Sequence, residues 1–245
     1  MQLYSAVVPA TFLERPNRFV ARVRIGEGEE IVHVKNTGRC RELLRPGARI
    51  YLAEGAGEKR RTRYDLVAVE KQRPGQPPLL VNMDSQAPNQ VAGEWLQLGG
   101  SLGEGHLLIP SALSEPDGVM LRPESTFGSS RFDFYFEAGL RRAYMEVKGC
   151  TLENEGHACF PDAPTERGRK HILELIQARQ AGYEAYILFV IQMEGMECFS
   201  PNDATDPAFG AALREAAAAG VEVLALECTV TPESLTISKP VRVEM

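Results

Sequence analysis

Between Arg131 and Lys148 the chain reads Arg-Phe-Asp-Phe-Tyr-Phe-Glu-Ala-Gly-Leu-Arg-Arg-Ala-Tyr-Met-Glu-Val-Lys, and no other stretch restricts the local fold so tightly. Phe132, Phe134 and Phe136 alternate with Arg131, Asp133 and Tyr135, and Ala143, Met145 and Val147 alternate with Tyr144, Glu146 and Lys148. A period of two is that of strands with one apolar and one polar face. The segment from Glu137 to Arg142 contains a Gly and is short enough to close the two strands into an antiparallel hairpin. With Glu137 opposite Arg142, Asp133 falls across from Glu146, and Lys148 lies two residues along the same face. Two carboxylates and an ammonium are expected to converge.

Hard divalent cations such as Mg²⁺ take oxygen ligands, usually one or two carboxylates completed by water and substrate phosphates. A lysine beside such an ion can orient the attacking water or offset charge on a phosphorane-like transition state. Asp133, a dozen residues, then Glu146-x-Lys148 resembles the core of the PD-(D/E)xK nuclease motif. The plainer reading is a solvated acid pair screened by Lys148. Like charges directly opposite on a strand pair cost energy unless a cation sits between them, which favours the metal reading.

Composition sets outer bounds. The chain has 245 residues, 44% hydrophobic and 24% charged, which suffices for one large or two modest globular domains. No run of eighteen apolar residues is present and the first residues lack a basic, then apolar, leader pattern, so a cytoplasmic protein without membrane attachment is expected. Five widely spaced cysteines with no Cys-x-x-Cys indicate neither a disulfide framework nor a structural zinc site, and four scattered histidines add no zinc cluster. Charge is uneven: residues 1–86 hold 15 Lys and Arg against 10 Asp and Glu, and residues 87–245 hold 12 against 23, giving +5 and −11 within the total of −6. A basic first part can hold a polyanion while an acidic second part holds metal, unless both are merely solvated surfaces.

Up to Val81 the pattern is of short strands separated by turn residues. Arg18 to Ile25 alternates, with Phe19, Ala21, Val23 and Ile25 on one side and Arg18, Val20, Arg22 and Arg24 on the other, predicting a half-buried strand with a basic outer face. Further strands are expected at Glu30–Lys35, Ala48–Ala53, Thr62–Lys71 and Leu79–Val81. About five strands in this length fit a small barrel of OB or SH3-like type. Asn36-Thr37-Gly38 signals a turn, and Arg39, Arg41 and Arg45 after it would suit phosphate, or else simply lead into a short helix. Lys59 to Arg63 is a basic run on a glycine-rich turn.

After a linker at Val81–Asn89, Pro88 opens a helix through Val91, Trp95 and Leu98, with Glu94 on it, closed by Gly99-Gly100. Leu121–Phe127 is expected as the first strand of the second domain, which brings Glu124 just ahead of the central hairpin. Thr165 is an N-cap for a helix with Ile172, Leu173, Leu175 and Ile176 in its stripe, ending at Gly182. Arg167, Arg169 and Lys170 crowd its first turn, where the helix dipole disfavours cations, so an anion is expected there, either a bound phosphate or the acids Asp162 and Glu166. Tyr183–Ile191, a helix from Asp206 to Ala219, and Val221–Glu227 give strand, helix, strand and hence a parallel part of the sheet.

The whole chain resembles the sugar fermentation stimulation protein A family. The likeness is carried by Asn36-Thr37-Gly38, Val81-Asn82, Ser130-Arg131-Phe132-Asp133-Phe134, Glu146-Val147-Lys148, Phe160-Pro161-Asp162 through Gly168 to Leu173, and Gly220 to Ala225. The resemblance implies an OB-like domain over 1–83 and a mixed-sheet, PD-(D/E)xK nuclease-like α/β domain over 84–245, α+β overall. It also implies sequence-nonspecific DNA binding and a regulatory link to sugar metabolism. Carried over by position, Asp133, Glu146 and Lys148 match the nuclease core, Glu124 or Glu94 would supply a further metal-binding acid, and Phe132 stands where the motif has Pro.

The expectation is therefore a DNA-binding protein with Mg²⁺ or Mn²⁺ at Asp133 and Glu146, and with Arg22, Arg24, Asn36, Arg39, Arg41, Arg131, Arg167, Arg169 and Lys170 on the nucleic acid. The alternatives are a DNA-binding regulatory module with a vestigial site, or a small-molecule-responsive effector. Strand preference and oligomeric state have no signature in the sequence.

Overall fold

The computed structural model describes residues 1–36, 38–55, 60–109 and 118–245. Thr37 of the expected phosphate turn and Lys59 of the basic run lie outside the described residues. The chain divides into two compact units: residues 1–87 with 192–194 and 228–236, and residues 88–191 with 195–227 and 237–245.

In the first unit the alternation of Val20 to Ile25 works as expected, with Ala21 and Val23 fully buried and Arg22 and Arg24 outside. Phe19 is not part of that inward row; it sits in a turn, 47% exposed, with the Arg18 guanidinium over its ring. Six strands, β1 (Val7–Asn17), β2 (Val20–Ile25), β3 (Gly28–Val34), β4 (Arg49–Glu54), β5 (Tyr64–Arg73) and β6 (Gln76–Asn82), are ordered β3-β2-β1-β4-β5-β6. A parallel pairing of β3 with β5, His33 opposite Asp65, closes the sheet into the OB barrel. β1 was not expected as a strand, because Pro9 and Pro16 interrupt it. Pro16 falls in the second of two register irregularities against β2, where a proline costs no pairing bond, and Pro9 lies opposite Tyr51 in the regular ladder with β4.

A buried polar group fixes one end of this unit. Lys35 Nζ lies 2.5 Å from Asp84 Oδ2, the Tyr4 hydroxyl donates to the same oxygen at 3.1 Å, and Gln192 Nε2 donates to Asn82 Oδ1 at 2.9 Å. Burial, then the charge of Asp84, pushes the Tyr4 phenol well above its ordinary range, so it remains a donor at neutral pH.

In the second unit β7 (Val119–Phe127), β8 (Ser130–Ala138) and β9 (Arg141–Cys150) form an antiparallel meander, and β12 (Glu184–Ile191) and β14 (Glu222–Val230) extend it in parallel, followed by β15 (Leu235–Pro240). Seven of the eight residues of β12 are buried, as the unbroken apolar run requires of a strand covered on both faces. A second, four-stranded sheet is ordered β10 (Leu152–Asn154), β11 (His157–Phe160), β13 (Cys198–Pro201), β16 (Arg242–Val243). Its strands are two to four residues long, too short for periodicity to reveal.

Three helices are described: α1 (Ala87–Gln97), α2 (Glu166–Gln180) and α3 (Pro207–Ala218). α1 ends at Gly99 and Gly100; Gly100 has φ +66°, and a Cβ there would meet that of Leu108 at 2.9 Å, so only glycine fits. Thr165 caps α2 by accepting from Gly168 N at 3.0 Å. An acid not among those expected at this helix start, Asp206, lies there: its Oδ2 accepts from Thr165 N at 2.9 Å while its Oδ1 accepts from Phe209 N at 3.0 Å, capping α3. No described helix is long and apolar enough to cross a membrane.

The bond from Thr165 N, set against partial burial, holds the Asp206 carboxyl below its ordinary range. Its contribution is fully present above the unfolded value near pH 4 and is lost as pH falls through the lower folded value. Asp206→Ala should cost about 1–2 kcal/mol, lower the melting midpoint by about 2–8 °C, and flatten this part of the acid-stability profile in a thermal melt series.

Candidate metal and nucleic-acid site

The hairpin register is Glu137 opposite Arg142, through Tyr135 opposite Tyr144, to Phe134 opposite Met145. There the regular ladder stops, one residue short of Asp133. In place of backbone pairing, Asp133 Oδ2 accepts from Val147 N at 2.7 Å, and Oδ1 accepts from Asn89 Nδ2 of α1 at 2.7 Å. The alternation slips at the same point. Phe132 packs with Tyr144 and with His171 of α2, as Tyr135 packs with Tyr144, whereas the ring of Phe134 lies against Gly93 of α1. Two phenylalanines expected on one face therefore meet different helices, and the residue between them is the acid.

Glu146 is 2% exposed, not on a solvated face. Its Oε1 meets Lys148 Nζ at 2.5 Å and, through a short contact, His171 Nδ1; its Oε2 is buried with no hydrogen-bond partner. Burial alone would raise the Glu146 carboxyl, but the His171 bond and the charge of Lys148 outweigh it and bring it below the ordinary range. Asp133 moves the other way: burial and the charge of Glu146 raise it despite bonds from Val147 and Asn89 and the charge of Lys148. Two neighbouring acids driven in opposite directions form a pattern common in catalytic and cation-binding pairs. An oxygen-seeking cation fits these donors, since the unpartnered Glu146 oxygen and the repelled Asp133 carboxylate both gain from a positive charge.

Asp133, Glu146 and Lys148 are thus brought together. Glu124 is not brought into their group: at φ +51° on β7, it directs its exposed carboxylate to Arg131 at 3.4 Å. Glu94 lies on α1 five residues after Asn89, about 140° around the helix from the residue that holds Asp133. Asn89, His171 and Glu174 were missed. His171 and Glu174 face the sheet from α2, Glu174 Oε1 accepting from Ser129 Oγ at 2.8 Å with Oε2 buried and unpartnered. Their signal was available: both interrupt the apolar stripe of Ile172, Leu175 and Ile176.

The expected DNA contacts are placed as follows. Arg22 pairs with Glu14 at 3.5 Å and Glu29 at 3.6 Å, and Arg24 with Glu29 at 3.5 Å, so the outer face of β2 is mixed in charge. These exposed pairs contribute little to stability. Asn36 Oδ1 accepts from Gly38 N at 2.8 Å, and Arg15, unforeseen, gathers the carbonyls of Arg18, Asn36, Gly38 and Arg39 at 2.6–2.9 Å. Arg41 and Arg167 are exposed, Lys170 is 3.8 Å from Glu174, and Arg169 is half-buried with its Nε unpartnered.

Barrel and second sheet together define a class: a two-domain α+β protein in which an OB domain precedes a mixed-sheet domain. Residues 13–77 match the SfsA N-terminal OB domain, and residues 86–234 match the sugar fermentation stimulation protein RE domain. The chain belongs to the sugar fermentation stimulation protein family. It is 50% identical over 242 residues to the sugar fermentation stimulation protein homolog of Desulfitobacterium hafniense (strain Y51), covering 99% of this chain and 98% of that one. It is 45% identical over 246 residues to the Clostridium botulinum (strain Hall) homolog, covering both in full. Among solved structures it is similar to Pyrococcus furiosus SfsA in complex with Ca²⁺, with a TM-score of 0.81, 31% identity and full coverage of both chains.

If Asp133 is held charged against its preference, relieving it should stabilise the metal-free protein. With EDTA present, Asp133→Asn should raise the melting midpoint by about 2–4 °C, corresponding to about 1 kcal/mol. Added Mg²⁺ or Mn²⁺ should then raise the midpoint of the parent chain but not of the variant. An unchanged parent midpoint at millimolar metal would remove the cation from this site.

Proposed function

We propose that this chain is a sequence-nonspecific DNA-binding protein whose second domain hydrolyses phosphodiesters with Mg²⁺ or Mn²⁺ held by Asp133 and Glu146. The observation that carries the reading is the grouping of buried Glu146 with half-buried Asp133 and Lys148, with opposite pKa displacements on the two acids. That the Pyrococcus furiosus relative is described in complex with Ca²⁺, another hard oxygen-seeking cation, supports it. The ion, when bound, would polarise a phosphoryl oxygen and lower the pKa of a bound water.

The chain's own groups have separate parts. Asn89 and the Val147 amide orient the Asp133 carboxylate, and His171 fixes that of Glu146. Lys148, already 2.5 Å from Glu146, orients the attacking water and offsets charge developing on the phosphorus oxygens. Exposed Arg167 and Lys170 at the start of α2 steady the backbone, and Arg22, Arg24, Arg39 and Arg41 on the OB domain hold DNA through phosphate contacts.

One observation favours a second reading. Glu146 is compensated by His171 and Lys148 without any metal, as suits a regulatory module that binds DNA and does not cut it.

Plasmid and single-stranded DNA incubated with Mg²⁺, Mn²⁺ or EDTA separate the two. Metal-dependent nicking that falls by about 10²–10³ in Lys148→Ala is expected. Binding without cleavage under every condition leaves the regulatory module, and cleavage unaffected by Lys148→Ala overturns the proposed chemistry. Binding itself should weaken steeply with salt, and the slope of log affinity against log salt should shrink by about one for each phosphate-contacting arginine removed.

A further inference from the structure

The small sheet of the second unit carries donors that the carboxylate site does not use. Its parallel registers set His157 of β11 opposite Cys198 of β13, and Cys198 opposite Arg242 of β16. Glu244, two residues beyond Arg242, is drawn to the same row by a bond from its amide to the Phe199 carbonyl at 2.8 Å. One imidazole nitrogen, one thiol sulfur and one carboxylate oxygen thereby lie within 4.8 Å of one another. We propose that His157, Cys198 and Glu244 form a second metal site, selective for a borderline-soft divalent cation of the zinc class.

The donor set argues for that class. Nitrogen, sulfur and oxygen donors from three side chains match zinc centres that keep a fourth position for water, whereas Mg²⁺ and Ca²⁺ seek oxygen alone. The Ser200 hydroxyl, 2.9 Å from His157 Nε2, holds the imidazole ring in place, as outer partners of metal-binding histidines do. Cys198 is a free thiol that is 9% exposed, and it ligates as the thiolate, releasing its proton to solvent. Arg242 bonds Glu244 Oε1 at 2.7 Å and leaves the second carboxylate oxygen for the ion. Cys159, on the same strand face as His157, is half-buried, and its thiol is raised by burial and by the neighbouring Cys198. It serves as a neighbouring control.

The test is titration of the full chain with Co²⁺, read by thiolate-to-cobalt charge-transfer absorption in the near ultraviolet. The carboxylate pair has no sulfur, so it is silent in this readout. The expected result is a band saturating at one ion per chain, displaced by Zn²⁺, abolished in Cys198→Ser and retained in Cys159→Ser and Asp133→Asn. His157→Ala and Glu244→Gln should each weaken Co²⁺ binding roughly tenfold or more, and far-UV circular dichroism confirms that the variants are folded. Absence of the band in the parent chain, its survival in Cys198→Ser, or its loss in Asp133→Asn overturns the assignment.

Discussion

A carboxylate removed from water needs a neighbouring charge or a hydrogen-bond partner, and the second unit is arranged around supplying these to Glu146. Its partners come from two elements: Lys148 from the same strand, and His171 from α2 across the sheet face. α2 must therefore lie on β9 with His171 directed inward, and the buried stripe of Ile172, Leu175 and Ile176 holds it there. Asp133 obtains less compensation from Asn89 and one backbone amide and is left raised. The two acids thus share a site while differing in readiness to accept a cation.

Much of this was legible because the residues concerned act locally. Alternation gave β2, β8 and β9; Thr165 and Asp206-Pro207 marked the starts of α2 and α3; the run ending at Ile191 gave a doubly buried strand. The hairpin register followed from one pair of opposite charges, Glu137 and Arg142, at its turn. β1 was not legible, because a proline ordinarily excludes a strand and only the partner strands show where irregular pairing removes the conflict. The small sheet was hidden for a related reason: His157, Cys198 and Arg242 belong to strands far apart in the chain and too short to carry a pattern.

The slip at Asp133 was the feature least open to sequence reasoning. Parity along a strand predicts Phe132 and Phe134 on one surface, and the hydrophobic pattern is equally satisfied when each meets a different helix. What breaks the tie is polar: a carboxylate beside a free amide on the next strand takes the bond that the ladder would have used. The break takes Asp133 out of the ladder, and its carboxyl binds the Val147 amide and Asn89 while feeling the charge of Glu146.

Asp206 has a mechanical consequence. One carboxylate satisfies amides at the beginnings of two helices, Thr165 before α2 and Phe209 in α3, so neither end can open without costing the other its acceptor. Fraying there is one event shared by two elements. Thermal motion at the surface of α3 is thereby linked to the first turn of α2, whose next turn carries the histidine on which Glu146 depends.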